Sequence, residues 1–168
     1  MADICIYIKC EPHLKQWLIN LHGGNNPVQL RKNSNEFDLL FCFLHRQPAG
    51  SKPKKGTADE LAIVIPNFKD KPPQEFNYIS PMGKKLLCNV FEKQFVENLW
   101  QDCQQFHNKF GMNKRDAIHA FMAAHGIDDT EDNWQAINKA YCKKRQAVLA
   151  INWYKKTHPS NKEDEDTW

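Results

Sequence analysis

A series of apolar residues between Ser80 and Gly111 limits the fold more than any other part of the chain. They recur at steps of three and four, the spacing that places side chains on one face of an α-helix. Ser80 can cap a helix, Pro81 suits its first position, and Gly111 suits the left-handed residue that ends it. The pattern predicts one long helix with these residues on its buried face: Leu87, Val90, Phe91, Phe95, Leu99, Cys103, Phe106 and Phe110.

Two further helices are expected after this one. Asn113 can cap the first, which ends at Gly126, where glycine supplies the positive φ of a C-terminal cap. The acidic residues within 128–131 favour the start of the last helix, because they complement the positive end of its dipole. That helix is expected to cover about 132–156. Residues 80–157 should therefore form a helical portion of three helices.

Residues 1–79 combine strand and helix patterns. Ile4–Lys9 and Leu61–Ile65 are apolar runs that predict strands, and Val28–Arg31 and Phe76–Ile79 are expected as shorter ones. Two amphipathic helices have these buried residues: Leu14, Trp17, Leu18 and Leu21 in the first, and Phe37, Leu40, Phe41 and Leu44 in the second, which Ser34 can cap. We expect an α+β protein, predominantly helical, with a small N-terminal α/β portion followed by a C-terminal three-helix portion.

The composition is that of a folded protein. The chain has 168 residues, of which 41% are hydrophobic, enough for one compact domain or two small, tightly packed ones. Its six cysteines lack CxxC spacing and mostly lie within apolar patterns, which favours free thiols in a reducing compartment such as the cytoplasm. The opening has an acid at Asp3 and only a short apolar run, unlike a signal peptide. No run approaches the roughly 18 residues of a membrane span, so we expect a cytoplasmic protein without membrane contact.

Positive charge is concentrated near the carboxyl end. Between Asn133 and the last of these cations there is no Asp or Glu: Lys139, Lys143, Lys144, Arg145, Lys155, Lys156 and Lys162. Apolar residues run through the same stretch at helical spacing: Trp134, Ile137, Tyr141, Val148 and Ile151. We expect these to turn inward while the cations share a single solvent-facing stripe. Such a stripe suits a polyanion, and nucleic acid is the commonest polyanion in a cell.

The helices on either side of Gly126 have the order of a DNA-binding helix-turn-helix. Asn and Gln can pair with adenine in the major groove, and Lys or Arg can reach guanine or phosphate. The turn, 125–130, is longer than usual and contains two acids, so an ordinary αα-hairpin of a helical bundle is the favoured interpretation and the helix-turn-helix is the alternative. The candidate nucleic-acid-binding residues are Lys114, Arg115, Asn133, Gln135, Asn138, Lys139, Lys143, Lys144 and Arg145.

A second basic cluster lies within 46–55, and Arg31 and Lys32 could join it. Two prolines and two glycines fall in or beside it, which indicates a loop. The cluster could be an electrostatic arm for nucleic acid. A solvated surface loop is the favoured interpretation.

Signals for a metal or for catalysis are weak. Cys103, His107, His119 and His125 could supply four zinc ligands, but their spacing matches no established zinc pattern, which favours unrelated core and surface residues. The chain lacks a phosphate-binding glycine loop, GxSxG and HExxH, and nothing pairs a nucleophile with a base. We therefore assign no catalytic residue, metal or cofactor and lean against an enzyme.

The last residues are acidic: Glu163, Asp164, Glu165 and Asp166 precede Thr167 and Trp168. This end resembles the acidic tail with a terminal aromatic of bacterial single-stranded-DNA-binding proteins, in which the tail recruits partners and competes with DNA. The resemblance covers six residues, lacks the terminal proline-phenylalanine of that family, and implies no membership, because the rest lacks the strands of an OB-fold. We expect 158–168 to be a disordered tail; a solubilising role is the favoured interpretation, and weak occupation of the basic helix is the alternative.

These patterns together favour a nucleic-acid-binding protein with a regulatory or accessory role. Duplex DNA is favoured over RNA, and the basic C-terminal helix is the expected contact. The alternative is a protein-interaction or structural subunit of a larger assembly, whose basic helix would meet an acidic protein surface. No pattern in the sequence sets the oligomeric state.

Overall fold

The structure, a computed structural model, describes residues 3–50 and 55–158. More than half of these residues are helical, which confirms the predominantly helical α+β class. The expected acidic tail, Pro159–Trp168, and the centre of the second basic cluster, 51–54, lie outside the described residues. The elements in chain order are β1 (Cys5–Lys9), α1 (Pro12–Leu21), α2 (Asn35–Phe43), β2 (His45–Arg46), β3 (Glu60–Val64), β4 (Phe76–Tyr78), α3 (Pro81–Phe110), α4 (Lys114–Ala124) and α5 (Glu131–Thr157).

The long helix α3 confirms the prediction from its apolar spacing. The Ser80 hydroxyl accepts a hydrogen bond from the Gly83 backbone N–H at 3.1 Å, and Gly111 ends the helix with φ at 64°. The buried face consists of Gly83, Leu87, Phe91, Phe95, Leu99 and Cys103. Phe110, expected on this face, is exposed instead. It lies in the last turn, beyond the part of α3 on which the other helices pack.

Rings from three other positions meet at Phe95. Trp17 of α1 and Phe121 of α4 contact it edge-on, with centroid distances of 5.5 and 5.7 Å, and His13 lies at 5.2 Å. The Trp17 indole N–H also donates to the side-chain oxygen of Asn98 at 3.0 Å. These contacts join the N-terminal portion to α3, so a single core contains residues of both portions.

The strands form two small antiparallel pairs. In β1 and β3, Ile6 is opposite Ile63 and Ile8 is opposite Leu61, and all four side chains are buried. The strand expected over Val28–Arg31 is reduced to one parallel bridge, in which the Val28 N–H donates to the Ala62 carbonyl at 2.8 Å. The predicted strand at the end of the N-terminal portion, β4, pairs with β2. We had not expected β2, because its two residues have no apolar pattern.

The helix α4 has the predicted Asn113 cap and Gly126 end, and α5 has a cap, Thr130, that we did not name from the sequence. Asn113 accepts from the Asp116 N–H at 3.0 Å, Thr130 accepts from the Asn133 N–H at 3.3 Å, and Gly126 has φ at 63°. The apolar face of α4 is buried against α3, and Ile118 and Phe121 have no solvent exposure. The hairpin therefore packs on α3 as one layer.

We predict very different costs for the same truncation at two leucines. Leu99 on α3 is 0% exposed and Leu149 on α5 is 56% exposed. Leu99→Ala leaves a cavity in the core and should lower the free energy of unfolding by about 2–5 kcal/mol, whereas Leu149→Ala should change it by less than about 0.5 kcal/mol. Urea unfolding of both variants measures this difference. Equal losses of unfolding free energy in the two variants would contradict the exposed position of Leu149 on α5.

Candidate nucleic-acid interface

The first half of α5 is embedded and its second half projects. Ile137 and Tyr141 are buried, Trp134 and Val148 are half-buried, and every residue from 149 to 158 is exposed. Contacts with α3 lie around Trp100, whose ring is 5.4 Å from that of Tyr141. The helix continues beyond them, and we call residues 149–158 the distal arm. Ile151, expected inside, is 54% exposed because it lies in this arm.

The start of α5 is held by Asn133, which is 5% exposed. Its side-chain N–H groups donate to the Gln16 side-chain oxygen at 3.2 Å and to the Asp128 carbonyl at 3.0 Å. The amide is thus used inside the protein and has no path to a base edge. Gln135, in contrast, is exposed, and its amide donates to Glu131 at 2.8 Å.

Acidic residues surround this end of the helix. Asp128, Asp129, Glu131 and Asp132 are all exposed and lie within two turns of Gln135. A helix-turn-helix protein contacts base edges with the N-terminal residues of its second helix, close to the phosphates. Four carboxylates at that position would repel the phosphates, so this end of α5 is unfavourable for groove entry.

The cations of α5 do not share one stripe, and that expectation is wrong. Lys139 and Lys143 are exposed and line a groove between α5 and α3, while Arg145 lines a cleft on the side of α4. Lys144 faces α3 and forms an ion pair with Glu97 at 2.7 Å. The hydrogen bond from Lys144 lowers the pKa of Glu97. Lys144 lines the same groove as Lys139 and Lys143, whereas Arg145, about 100° farther round the helix, does not.

The groove beside Lys139 and Lys143 has a volume of about 950 Å³. Leu14, Phe95 and alanines of α5 line it, together with the carboxylates of Glu92 and Glu97. Opposite charges therefore face each other across the groove, so it is not a purely basic channel.

Asn138 of α5 does not line this groove. It is half-buried and accepts a hydrogen bond from the Cys142 thiol at 3.7 Å.

The two cations at the start of α4 lie near the other side of α5. Lys114 and Arg115 are exposed, and Lys114 Nζ is 3.9 Å from the Cys142 sulfur. Farther along α4, the His119 ring stacks on Trp134 at 6.1 Å. The helix α4 therefore lies alongside α5 through its length, which is the arrangement of an αα-hairpin. Lys114 and Arg145 line the same cleft.

The distal arm contains aromatic residues that we did not select from the sequence. Trp153 is 65% exposed and Tyr154 is 59% exposed, and both are next to Lys155 and Lys156. The sequence does contain a sign that some of these side chains are exposed. The apolar residues at 149, 151, 153 and 154 spread widely around a helix, so they cannot all face one core.

The four residues considered for zinc have separate partners. Cys103 is buried, which raises the pKa of its thiol to about 12, and His107 lies 2.9 Å from the Met112 carbonyl. His119 pairs with Asp129 at 3.1 Å and His125 with Asp102 at 2.7 Å. Within residues 3–50 and 55–158, no three potential ligands are grouped around one point.

The second basic cluster is described only in part. Arg46 forms an ion pair with Glu75 at 3.0 Å and lies over the Phe76 ring, so it already has partners at β4.

Among the described helices, none combines the length and apolar composition needed to cross a bilayer. Neither a protein-family model, nor a curated protein, nor a solved structure matches the chain.

We predict that two neighbouring amides of α5 differ in their effect on stability. Asn133→Ala removes two buried hydrogen bonds and leaves the Gln16 oxygen with one fewer donor, so the free energy of unfolding should fall by about 1–3 kcal/mol. Gln135→Ala removes an exposed contact and should change it by less than about 0.5 kcal/mol. Chemical unfolding followed by circular dichroism measures both. An unaffected Asn133→Ala variant would show that this amide does not hold the helix start.

Proposed function

We propose that the protein binds nucleic acid through the outer surfaces of α5, without reading its sequence. The observation that supports this most is the charge of the helix. From Asn133 to His158 it has six cations and no acid: Lys139, Lys143, Lys144, Arg145, Lys155 and Lys156. A phosphate backbone gains affinity from such a surface by releasing its condensed counterions, whatever the base sequence.

Phosphate contacts would come from the exposed cations, namely Lys139, Lys143, Arg145, Lys155 and Lys156. Lys144 would contribute less while it is paired with Glu97. Lys114 extends the positive surface on the Arg145 side, and Arg115, the next residue of α4, is exposed. The cations point in several directions, which suits a nucleic acid that bends around the helix better than one flat contact face.

The polar side chains at the start of α5 are poorly placed to contact base edges. The Asn133 amide is buried, and the Gln135 amide is hydrogen-bonded to Glu131. Asn138 is half-buried beside Cys142. The neighbouring acids would also oppose close approach of phosphates. We therefore infer binding that depends on charge and on the shape of the backbone, in an accessory role.

The cytoplasm is the compartment that we propose for this role. All six cysteines are free thiols, and burial raises the pKa of Cys10 and of Cys103 to about 12. Thiols without disulfide partners are typical of proteins kept in a reducing compartment, where nucleic acid is also accessible.

The central test is a double charge reversal. Lys139→Glu with Lys143→Glu replaces two exposed cations of α5 with carboxylates, and binding to DNA at physiological salt should be lost. For the unchanged protein, affinity should fall steeply as salt increases, by about 0.9 in the logarithmic slope for each phosphate contact in a duplex. Fluorescence anisotropy with a labelled oligonucleotide measures affinity and slope.

Lys69→Glu with Lys85→Glu is the matched control. Both lysines are exposed, one on a loop of the N-terminal portion and one near the start of α3, and this pair changes the net charge by the same amount. The control should retain most of the affinity. If the α5 double variant binds DNA as tightly as the control double variant, α5 is not the contact surface. If the unchanged protein does not bind DNA, the proposed function is wrong.

A protein partner is the second candidate, because the distal arm also exposes aliphatic side chains. Leu149 and Ile151 are each more than half exposed, and such residues at a projecting helix suit an apolar protein surface with acids around it. Leu149→Ser with Ile151→Ser should then abolish co-elution with that partner while leaving DNA affinity unchanged. The reverse result, a loss of DNA binding alone, would contradict this second candidate.

A further inference from the structure

We propose that the distal arm is a stacking platform for unpaired bases, which gives α5 a preference for single-stranded over duplex nucleic acid. The inference rests on the proposed function and names the form of nucleic acid that fits the arm. It departs from the duplex DNA favoured by the sequence patterns. The residues that would do this are Trp153 and Tyr154, with Lys155 and Lys156 beside them.

The ring of Trp153 is open to solvent. Among residues 3–50 and 55–158, no aromatic ring lies against it, unlike Trp17, Trp100 and Trp134, which all contact other rings. Tyr154 stacks on His158 at a centroid distance of 4.4 Å and an interplanar angle of 16°. This nearly parallel pair shows that a flat ring fits against Tyr154 on the arm.

Stacking on an aromatic ring requires a base whose face is free. In a duplex each base is covered by its neighbours, whereas an unpaired base can leave the strand and stack on a side chain. Each such contact is independent of base identity, because every base has a π-face. Lys155 and Lys156 would contact the adjacent phosphates, so charge and stacking act on the same nucleotides.

The directions of the two rings also favour a flexible strand. Trp153 and Tyr154 are consecutive on a helix, so their side chains point about 100° apart. A strand that contacts both rings must bend sharply around the arm. Duplex DNA is stiff over about 150 base pairs and resists such bending, whereas a single strand bends readily.

Charge disfavours a second copy of the chain as the occupant of the arm. A second copy of the arm would bring cations against cations, since neither would have an acid between 133 and 158.

The test compares single-stranded and duplex binding of the full chain after loss of the Trp153 ring. The probes are a labelled thymidine oligonucleotide and a duplex of equal phosphate number. Trp153→Ala should weaken binding to the single strand by about 5- to 150-fold, the effect of one lost base stack, and should leave duplex affinity and the salt slope unchanged. Trp153→Phe should retain most of the affinity, and Leu149→Ala is the non-aromatic control one turn earlier.

The outcomes separate this inference from the proposed function. If the unchanged protein binds both probes and Trp153→Ala has no effect on the single strand, the stacking platform is wrong and binding by charge stands. An equal loss on both probes would also overturn the platform, because stacking cannot act on covered bases. If the unchanged protein binds neither probe, the proposed function fails and the platform fails with it. Trp153 is largely exposed, so the variants should melt as the unchanged protein does.

Discussion

The burial of one face of α3 is the interaction on which the remaining structure depends. The helix spans the molecule, and Phe95 at its centre is contacted by rings from α1 and from α4. The two small strand pairs could not bury their apolar faces alone, because two strands are at best marginally stable in water. They are stable here because Ile6, Ile8 and the residues opposite them belong to the core that α3 organises.

The same packing explains why α5 has two different halves. Its contacts with α3 lie near Tyr141, and the start of α4 reaches it at Cys142. Val148 is half-buried, and every residue from 149 to 158 is exposed, so the apolar residues there stay in water. The division of α5 therefore separates a packed half from an exposed half.

Much of the fold could be predicted from local patterns in the sequence. Caps such as Ser34, Ser80 and Asn113 act within three residues, and apolar spacing gives the helix period directly, so the five helices of the described residues could all be predicted. The pairing of β2 with β4 could not be predicted, since two-residue strands have no period. Phe110 and Ile151 were placed inside incorrectly, because their spacing continues a buried face that has no neighbour left to cover it.

The sequence by itself determined the helices, the absence of acids in the second part of α5, and therefore the sign of the charge that any ligand must meet. Only the tertiary structure decided which polar groups are free. The hydrogen bond from Asn133 to Gln16 and the ion pair of Lys144 with Glu97 join residues far apart in the chain. A helical period indicates the direction of a side chain, but the elements packed in that direction determine whether it meets a partner or solvent.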